Sequence, residues 1–245
     1  LLTAKAKALT WGGAWEAAVI VFCSCFFGGW FGLVFLLSIY MVIAVVDHIL
    51  KDRTAKLLGG INKKHGPRDM VQVAANGLPA TISIILYRIT GEWAFLMGFA
   101  IGITEALADS IASDVGVLSK SDPISICRFR PVPRGLSGGV SLLGSLASLG
   151  AAALCAGLYF AFFWDLAGAG LLVLFGSLGC LIDSILGDLF QEKFRCDQCG
   201  CLTEKPVHCE KPTVRVAGIA HLDNCLVNII SNALAVAIGV LVLLW

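Results

Sequence analysis

The chain has 245 residues, of which 58% are hydrophobic and only 14% are charged, and its mean hydropathy is +0.85. A water-soluble domain of this length does not tolerate so apolar a surface, so the composition predicts a polytopic membrane protein, one helical domain over residues 1–245. The net charge is +1 and the basic residues are dispersed over several connections, so we expect no nucleic-acid partner.

Seven apolar segments are long enough to cross a bilayer as helices. Only Gly28-Gly29 separates the first two, which favours a tight helical hairpin over one kinked helix, because a single helix of about 40 residues would greatly overshoot the membrane. The expected fold class is therefore an all-α membrane bundle of about seven helices. The segments are Trp11–Phe27, Phe31–Leu50, Met70–Tyr87, Trp93–Ser113, Gly138–Phe163, Gly168–Phe190 and Leu222–Trp245.

The basic residues lie almost entirely on one side of this seven-helix path. Seventeen of the 18 Lys and Arg residues fall before the first helix or in the three long connections, and only Arg88 falls on the other side. By the positive-inside rule the N-terminus and these connections are cytoplasmic and the C-terminus is outside, as a multi-pass protein of the cell membrane. Polar ligands are therefore expected to arrive from the cytoplasm.

Polar side chains recur at four-residue intervals on the inner halves of four spans, which places each set on one helix face. A carboxylate near the membrane centre costs about 2.5–3.5 kcal/mol, so such groups usually face inward and serve a function. Carboxylates suit Mg²⁺, with Asp109 and Asp183 as the leading ligands and Glu105 and Asp114 next. The alternative is that these groups only satisfy one another between packed helices. The sets are Glu105, Asp109 and Ser113; Asp183, Gly187 and Gln191; Asn224, Asn228 and Asn232; and Gln72 with Asn76.

A segment rich in arginine, proline and glycine, residues 128–141, precedes the fifth apolar run. Its prolines stop the preceding helix, and its glycines let the backbone approach a ligand closely where the next helix begins. A helix start with Arg134 beside it favours an anion such as phosphate. The alternative is a loop that arginines merely hold at the membrane surface. The cradle would consist of Arg130, Arg134, Gly135, Ser137, Gly138, Gly139 and Ser141, with Lys120 nearby.

Cysteine and histidine residues concentrate in a predicted cytoplasmic insertion, residues 193–220. Cys196 and Cys199 form a C-x-x-C-G knuckle, and Cys209 with either His208 or Cys201 would complete four ligands for a structural Zn²⁺. Free or redox-active cysteines are the alternative. The other cysteines are scattered in apolar or isolated settings, which argues against a secreted disulfide framework.

With these residues in hand, the chain resembles the integral-membrane family that includes transmembrane protein 19 and the plant phytyl-phosphate kinase. Where the family often has Asn-Asn-Asp before the last helix, this chain has Asp223-Asn224-Cys225. The segments that carry the resemblance are Arg68-Asp69 with Gln72 and Asn76-Gly77; Ala108 to Gly116; Pro133 to Gly144; Asp183 to Gly187 with Gln191; and Asp223-Asn224 with Asn228.

The resemblance implies phosphoryl transfer from CTP, or another nucleoside triphosphate, to a membrane-held isoprenyl monophosphate, with Mg²⁺ on the donor phosphates. A transporter of an ion, phosphate ester or lipid carrier, and a CTP-dependent cytidylyltransferase, remain as alternatives, and the oligomeric state, including a homodimer, stays open. The expected catalytic set is Asp109, Asp183, Arg130 and Arg134. The expected substrate- and nucleotide-binding set is Arg68, Gln72, Asn76, Lys120, Gly135, Ser137, Gly138, Gly139, Ser141, Asn224 and Asn228.

Overall fold

The computed structural model describes residues 9–58 and 67–245. Within these ranges six helices are long and apolar enough to cross a membrane, so the helical membrane fold is confirmed, with six such helices rather than seven. The expected basic residues Lys5, Lys7, Lys63 and Lys64 lie outside the described ranges. The helices are α1 (Trp11–Leu58), α2 (Met70–Thr90), α3 (Trp93–Gly116), α4 (Leu142–Phe163), α5 (Leu166–Leu189) and α6 (Asn224–Leu244).

Helix α1 combines the first two predicted spans and folds back on itself at Gly29. Gly29 has non-helical backbone angles (φ 59°, ψ −148°) in the region that glycine tolerates best. Thr10 N donates to Arg68 O over 3.0 Å at one end, and the Arg68 guanidinium pairs with Asp47 over 3.0 Å near the other end. Both ends of α1 therefore reach the same residue, and its two arms run antiparallel as a hairpin.

Helix α3 occupies the centre of the bundle. In its most apolar 18-residue window 89% of the residues are buried, against 22–39% for the other helices. Phe99, Ala100, Ile101 and Leu107 are all fully buried there. Polar groups on α3 are consequently surrounded by protein.

The long connections gather at one end of the bundle, which we call the loop face. There β1 (Ile124–Ser125) pairs with β2 (Gly139–Val140), and α4 begins at Leu142 instead of the predicted Gly138 because Ser141 caps it. The insertion between α5 and α6 forms a small three-stranded sheet and a hairpin. Its strands are β3 (Lys193–Arg195), β4 (Leu202–Thr203), β5 (Val207–His208), β6 (Lys211–Pro212) and β7 (Val214–Ala217).

Candidate functional site

Helices α3, α5 and α6 bring together a group of buried polar residues, here called the membrane cluster: Glu105, Asp109, Asp183, Ser231 and Asn232. The hydroxyl Oγ of Ser231 lies 3.2 Å from Glu105 Oε1 and 3.1 Å from Asp183 Oδ2. Asn232 donates to Gly102 O over 2.7 Å and to Glu105 Oε2. Both Asp109 and Asp183 interact electrostatically with Glu105. Glu105 of α3 and Asp183 of α5 therefore meet at Ser231 of α6. A shared ion site of Asp109 and Asp183 stays a prediction.

The membrane cluster lies below the loop face by a distance that a polar ligand can bridge. Asp109 and Asp183 precede the helix ends Gly116 and Leu189 by seven and six residues, which at 1.5 Å per residue is roughly 10 Å. Glu105 lies one turn deeper in α3. Asp114 lies near the loop-face end of the same helix. Glu105, Asp109 and Asp114 therefore lie at increasing height along α3 towards the loop face, with Asp114 about 140° around the helix from Asp109.

An asparagine chain extends the membrane cluster to α2. Asn228 donates to Asn76 Oδ1 and Asn224 donates to Asn228 Oδ1, each over 3.1 Å. With its amide reversed, Asn228 instead donates to Asp183 Oδ2 over 3.2 Å, in place of its bond to Asn76. In either orientation the Ser231 hydroxyl donates to the backbone oxygen of Asn228 over 3.0 Å and so joins it to the membrane cluster. The four polar stripes predicted from the sequence are thereby connected in a single network across α2, α3, α5 and α6.

The connection between α3 and α4, residues 117–141, is here called the arginine-glycine loop, and Asp188 fastens it to the end of α5. This buried carboxylate accepts hydrogen bonds from the Ser125 hydroxyl and from Cys127 N, and it pairs with Lys193 Nζ at 3.6 Å. Burial lowers the pKa of Lys193, while the charge of Asp188 opposes that shift. Gly138 packs directly on the Asp188 backbone with φ 84°, where a Cβ would overlap it. These contacts give the loop a defined conformation against the end of α5.

The basic residues of this loop lie at its surface. Arg130 is exposed, and its carbonyl closes the turn by accepting from Ser125 N over 2.8 Å. Arg134 is held by Asp122 at 3.4 Å and by Lys120 O at 3.0 Å. Gly135 adopts φ 81° beside it. The loop thus presents Arg130 at the surface, while the charge of Arg134 is shared with Asp122.

Three residues expected to bind substrate have structural partners. Arg68 pairs with Asp47, and Gln72 forms a capping box with Asp69 at the start of α2. Ser141 caps α4 by accepting from Gly144 N over 3.1 Å, and it donates to Gly116 O over 3.2 Å. Their roles in binding a nucleotide stay predictions, as does the role of Gly139, which packs against Val132.

The Cys/His insertion brings four potential metal ligands together. One ligand atom from each of Cys196, Cys199, His208 and Cys209 lies within 4.8 Å of the others. Cys199 Sγ and Cys209 Sγ lie 3.4 and 3.2 Å from His208 Nδ1. Two β-turns present these residues: the β3–β4 turn, where Cys196 N donates to Cys201 O over 3.0 Å, and the β5–β6 turn. The geometry selects His208 over Cys201 as the fourth ligand.

The thiols of this Cys/His group have unequal proton affinities. Hydrogen bonding with the Cys201 backbone and side chain lowers the pKa of Cys199 to about 7, and hydrogen bonds from Cys199 N and His208 lower that of Cys196. Desolvation and the neighbouring thiols raise the pKa of Cys209 to about 11. Crowded sulfur atoms cannot all ionise unless a cation joins them, and Cys and His at these distances are the donor set that Zn²⁺ prefers.

Several residues of the site were not predicted from the sequence. Ser231 had no place among the asparagine repeats, although it links Glu105 to Asp183. Asp188 and Lys193 could have been noticed as opposite charges just where α5 ends. Glu204 accepts a hydrogen bond from Ser137 N over 2.6 Å, although the two residues are 67 positions apart in the sequence. No local sequence pattern predicts that contact.

Comparison with known proteins agrees with this architecture. A family model described as integral membrane protein DUF92 matches residues 1–236. Protein PGR of Arabidopsis thaliana is 35% identical over 198 residues, covering 69% of this chain and 67% of its own. Uncharacterised membrane proteins of Methanocaldococcus jannaschii (29% identical, 79% of each chain) and Synechocystis (28%, 75% of this chain and 71% of its own) also match. No solved structure matches. The chain belongs to the DUF92 family of integral membrane proteins.

Proposed function

We propose that this protein is a prenyl-phosphate kinase that transfers the terminal phosphoryl group of CTP, or of another nucleoside triphosphate, to a membrane-held monophosphate such as phytyl or geranylgeranyl phosphate. The observation that supports the proposal is the contact of Glu105 and Asp183 through Ser231, with Asp109 interacting electrostatically with Glu105 one helical turn away. The likeness to the phytyl-phosphate kinase family supports the same chemistry.

The location of the membrane cluster suits two substrates of opposite character. An isoprenyl chain dissolves among the apolar helices while its phosphate reaches the loop face, and the nucleotide arrives from water. We place the loop face in the cytoplasm of a cell membrane, because the basic connections gather there. Arg130, Arg134 and Lys120 would attract the triphosphate and spread its charge.

The donor set of the membrane cluster fits Mg²⁺. Glu105, Asp109 and Asp183 are buried carboxylates, and Asn232 Oδ1 is a buried amide oxygen with no hydrogen-bond partner in the described structure. Hard oxygen ligands of this kind are those that Mg²⁺ takes in nucleotide-dependent enzymes. When bound, the ion would neutralise charge on the donor phosphates.

The protein's own groups would contribute chiefly by positioning. An oxygen of the prenyl monophosphate attacks the γ-phosphorus of CTP, the bond from that phosphorus to the bridging oxygen breaks, and CDP leaves. The acceptor oxygen is already ionised, so no strong general base is required. Alignment of the two phosphates below the loop would supply most of the rate.

A product assay tests the proposal. The purified protein in detergent receives Mg²⁺, labelled CTP or ATP, and phytyl or geranylgeranyl phosphate, and the products are resolved. Nucleoside diphosphate with prenyl diphosphate is the expected result. Pyrophosphate release with a cytidylylated lipid would show a cytidylyltransferase instead. No turnover with any donor, together with substrate flux in liposomes, would show a transporter.

Variants connect the activity to the membrane cluster. Asp109→Asn should abolish turnover while the protein stays folded, because it removes one negative charge at nearly constant shape. Glu92→Gln is the matched control, since Glu92 is an exposed carboxylate at the opposite end of α3 with no side-chain capping bond. Full activity in Asp109→Asn would remove Asp109 from the mechanism.

A further inference from the structure

The two hairpins of the Cys/His insertion are joined by one short segment, here called the linking segment. The β3–β4 hairpin carries the first two candidate ligands, Cys196 and Cys199, and the β5–β6 hairpin carries the other two, His208 and Cys209. The linking segment, residues 204–206, runs from the end of β4 to the start of β5. It therefore lies between the two halves of the candidate metal site.

Hydrogen bonds tie the linking segment to both hairpins. Thr203, the last residue of β4, pairs with Phe194 of β3, and its hydroxyl accepts from Lys205 N over 3.2 Å. On the other side Thr213, which follows β6, donates its hydroxyl proton to Lys205 O over 2.7 Å and its backbone N–H to Pro206 O over 2.9 Å. A shift of either hairpin would therefore move the linking segment.

Glu204, the first residue of the linking segment, reaches the arginine-glycine loop. It is only 7% exposed, and its Oε1 accepts from Ser137 N over 2.6 Å. The next residue of the loop, Gly138, lies against the Asp188 backbone, where a Cβ would overlap it. Because a hydrogen bond to a carboxylate is stronger than one between neutral groups, Glu204 helps to fix the conformation of residues 137–139.

The strands that frame the candidate metal ligands are short. Each of β4, β5 and β6 has two residues, and both residues of β6 are exposed. Val207 of β5 is 55% exposed. Small units with little apolar core are commonly held together by a metal ion, whose binding free energy then becomes folding free energy. One ion bound to ligands from both hairpins would fix the position of one hairpin relative to the other.

We propose that Zn²⁺ bound at the Cys/His group controls the conformation of residues 137–139 of the arginine-glycine loop, with Glu204 as the positioning residue that connects the two. When the ion is bound, the hairpins hold the linking segment and Glu204 accepts from Ser137 N. When the ion is removed, the linking segment is released and Ser137 N loses this acceptor. The proposal rests on metal binding by the Cys/His group and not on the kinase activity proposed above.

Hydrogen–deuterium exchange measured by mass spectrometry tests this connection in the full chain in detergent, with no substrate present. Exchange in peptides that span residues 134–141 is compared between zinc-loaded protein and protein treated with a zinc chelator, and the zinc content of each sample is measured separately. Glu204→Ala removes the acceptor of Ser137 N. Glu210→Ala is the matched control, since Glu210 is an exposed carboxylate directly after the candidate ligand Cys209.

Chelation should raise the exchange rate at residues 137–139 about tenfold or more in the parent and in Glu210→Ala, because a hydrogen bond to a charged acceptor is lost. In Glu204→Ala these amides should already exchange fast with zinc bound, and chelation should add little, since both changes break the same contact. Because no substrate is present, this result is independent of the prenyl-phosphate assay.

Zinc loss without a change in exchange at residues 137–139 would overturn the proposal, and so would an equal effect of chelation in Glu204→Ala and in the parent. A chain that takes up no zinc would overturn it as well, and the metal measurement identifies that case. If Glu204→Ala does not fold, Glu204→Gln replaces it, because glutamine keeps an uncharged and weaker acceptor. Its exchange with zinc bound should lie between that of the loaded and the chelated parent, and exchange equal to that of the loaded parent would overturn the role of Glu204.

Discussion

Glu105 and Asp183 lie on different helices and share the hydroxyl group of Ser231, which is 3.2 Å from one carboxylate and 3.1 Å from the other. Two carboxylates in the interior of a membrane protein repel each other unless a proton, a donor or a cation lies between them. Ser231 is fully buried between the two carboxylates. The hydroxyl therefore determines how closely the two helices can bring their acidic groups.

Replacing Ser231 by alanine should destabilise the protein and reduce turnover together. The variant removes a hydrogen bond to a charged group in the interior, so we expect a loss of about 2 kcal/mol. Ser177→Ala is the matched control, because Ser177 Oγ is buried without a hydrogen-bond partner and its removal should cost nothing or stabilise. Thermal unfolding in detergent measures the stability of both variants, and the product assay measures their turnover. Equal stability of the two variants would contradict the role of Ser231.

Replacing Asp188 by asparagine should loosen the arginine-glycine loop. The Asp188 and Lys193 side chains are only 4% and 9% exposed, and breaking a buried ion pair by removing one partner typically costs about 3–5 kcal/mol. Limited proteolysis should cut residues 117–141 faster in this variant. Asp122→Asn removes the ion pair with Arg134. Because the Asp122 side chain is 71% exposed, this variant should change the rate of cleavage little. Similar cleavage rates in both variants would show that Asp188 does not hold the loop.

Gly138→Ala should disturb the same contact through a substitution in the loop rather than in α5. Gly138 has φ 84° and lies against the Asp188 backbone, so an added methyl group meets both an unfavourable backbone region and a collision. Gly150→Ala is the opposite case, since no atom lies within 4 Å of the added Cβ in the middle of α4. Its helix propensity should make that variant equal to the parent or more stable by about 0.5–1 kcal/mol. Melting temperatures of the pair in detergent check the expected order, and the reverse order would contradict it.

The Cys/His group should bind one zinc ion per chain. Cys199→Ser should lose most of that zinc, because it removes one of four clustered ligands. Cys201→Ser should retain the zinc, because Cys201 lies outside the clustered set although Cys199, two residues before it, belongs to that set. Metal content by mass spectrometry after dialysis measures both variants. Zinc loss from Cys201→Ser with retention in Cys199→Ser would reverse the ligand assignment.

The membrane architecture could be predicted because each membrane-spanning helix is marked in the sequence by its own long apolar segment. Apolar length alone located α2 to α6 to within a few residues, and the Gly28-Gly29 pair located the bend in α1. The first two predicted segments are the two arms of α1, which is counted as one helix because helical residues lie directly on both sides of Gly29. Helix α4 starts later than predicted because Gly139 and Val140 pair with β1 before the chain turns helical.

The candidate site was only partly accessible to sequence reasoning. Four-residue spacing correctly brought acidic and amide side chains onto shared faces, since that spacing is fixed by the helix itself. The bonds made by Ser231, Asp188 and Glu204 depend on which helices become neighbours, and spacing along one chain carries no such information. The Cys/His ligands were predictable in identity, but choosing His208 over Cys201 required the two turns in three dimensions.

The hairpin at Gly29 also bears on how the chain enters a bilayer. On the side opposite the loop face, the described connections are the bend at Gly29, the Gly91-Glu92 pair and the short Trp164-Asp165 turn. Almost nothing hydrophilic therefore has to be carried across the lipid during biosynthesis. Each helical hairpin can therefore enter the lipid as one largely apolar unit, and only Arg88, Glu92 and Asp165 at these turns are charged residues that have to cross.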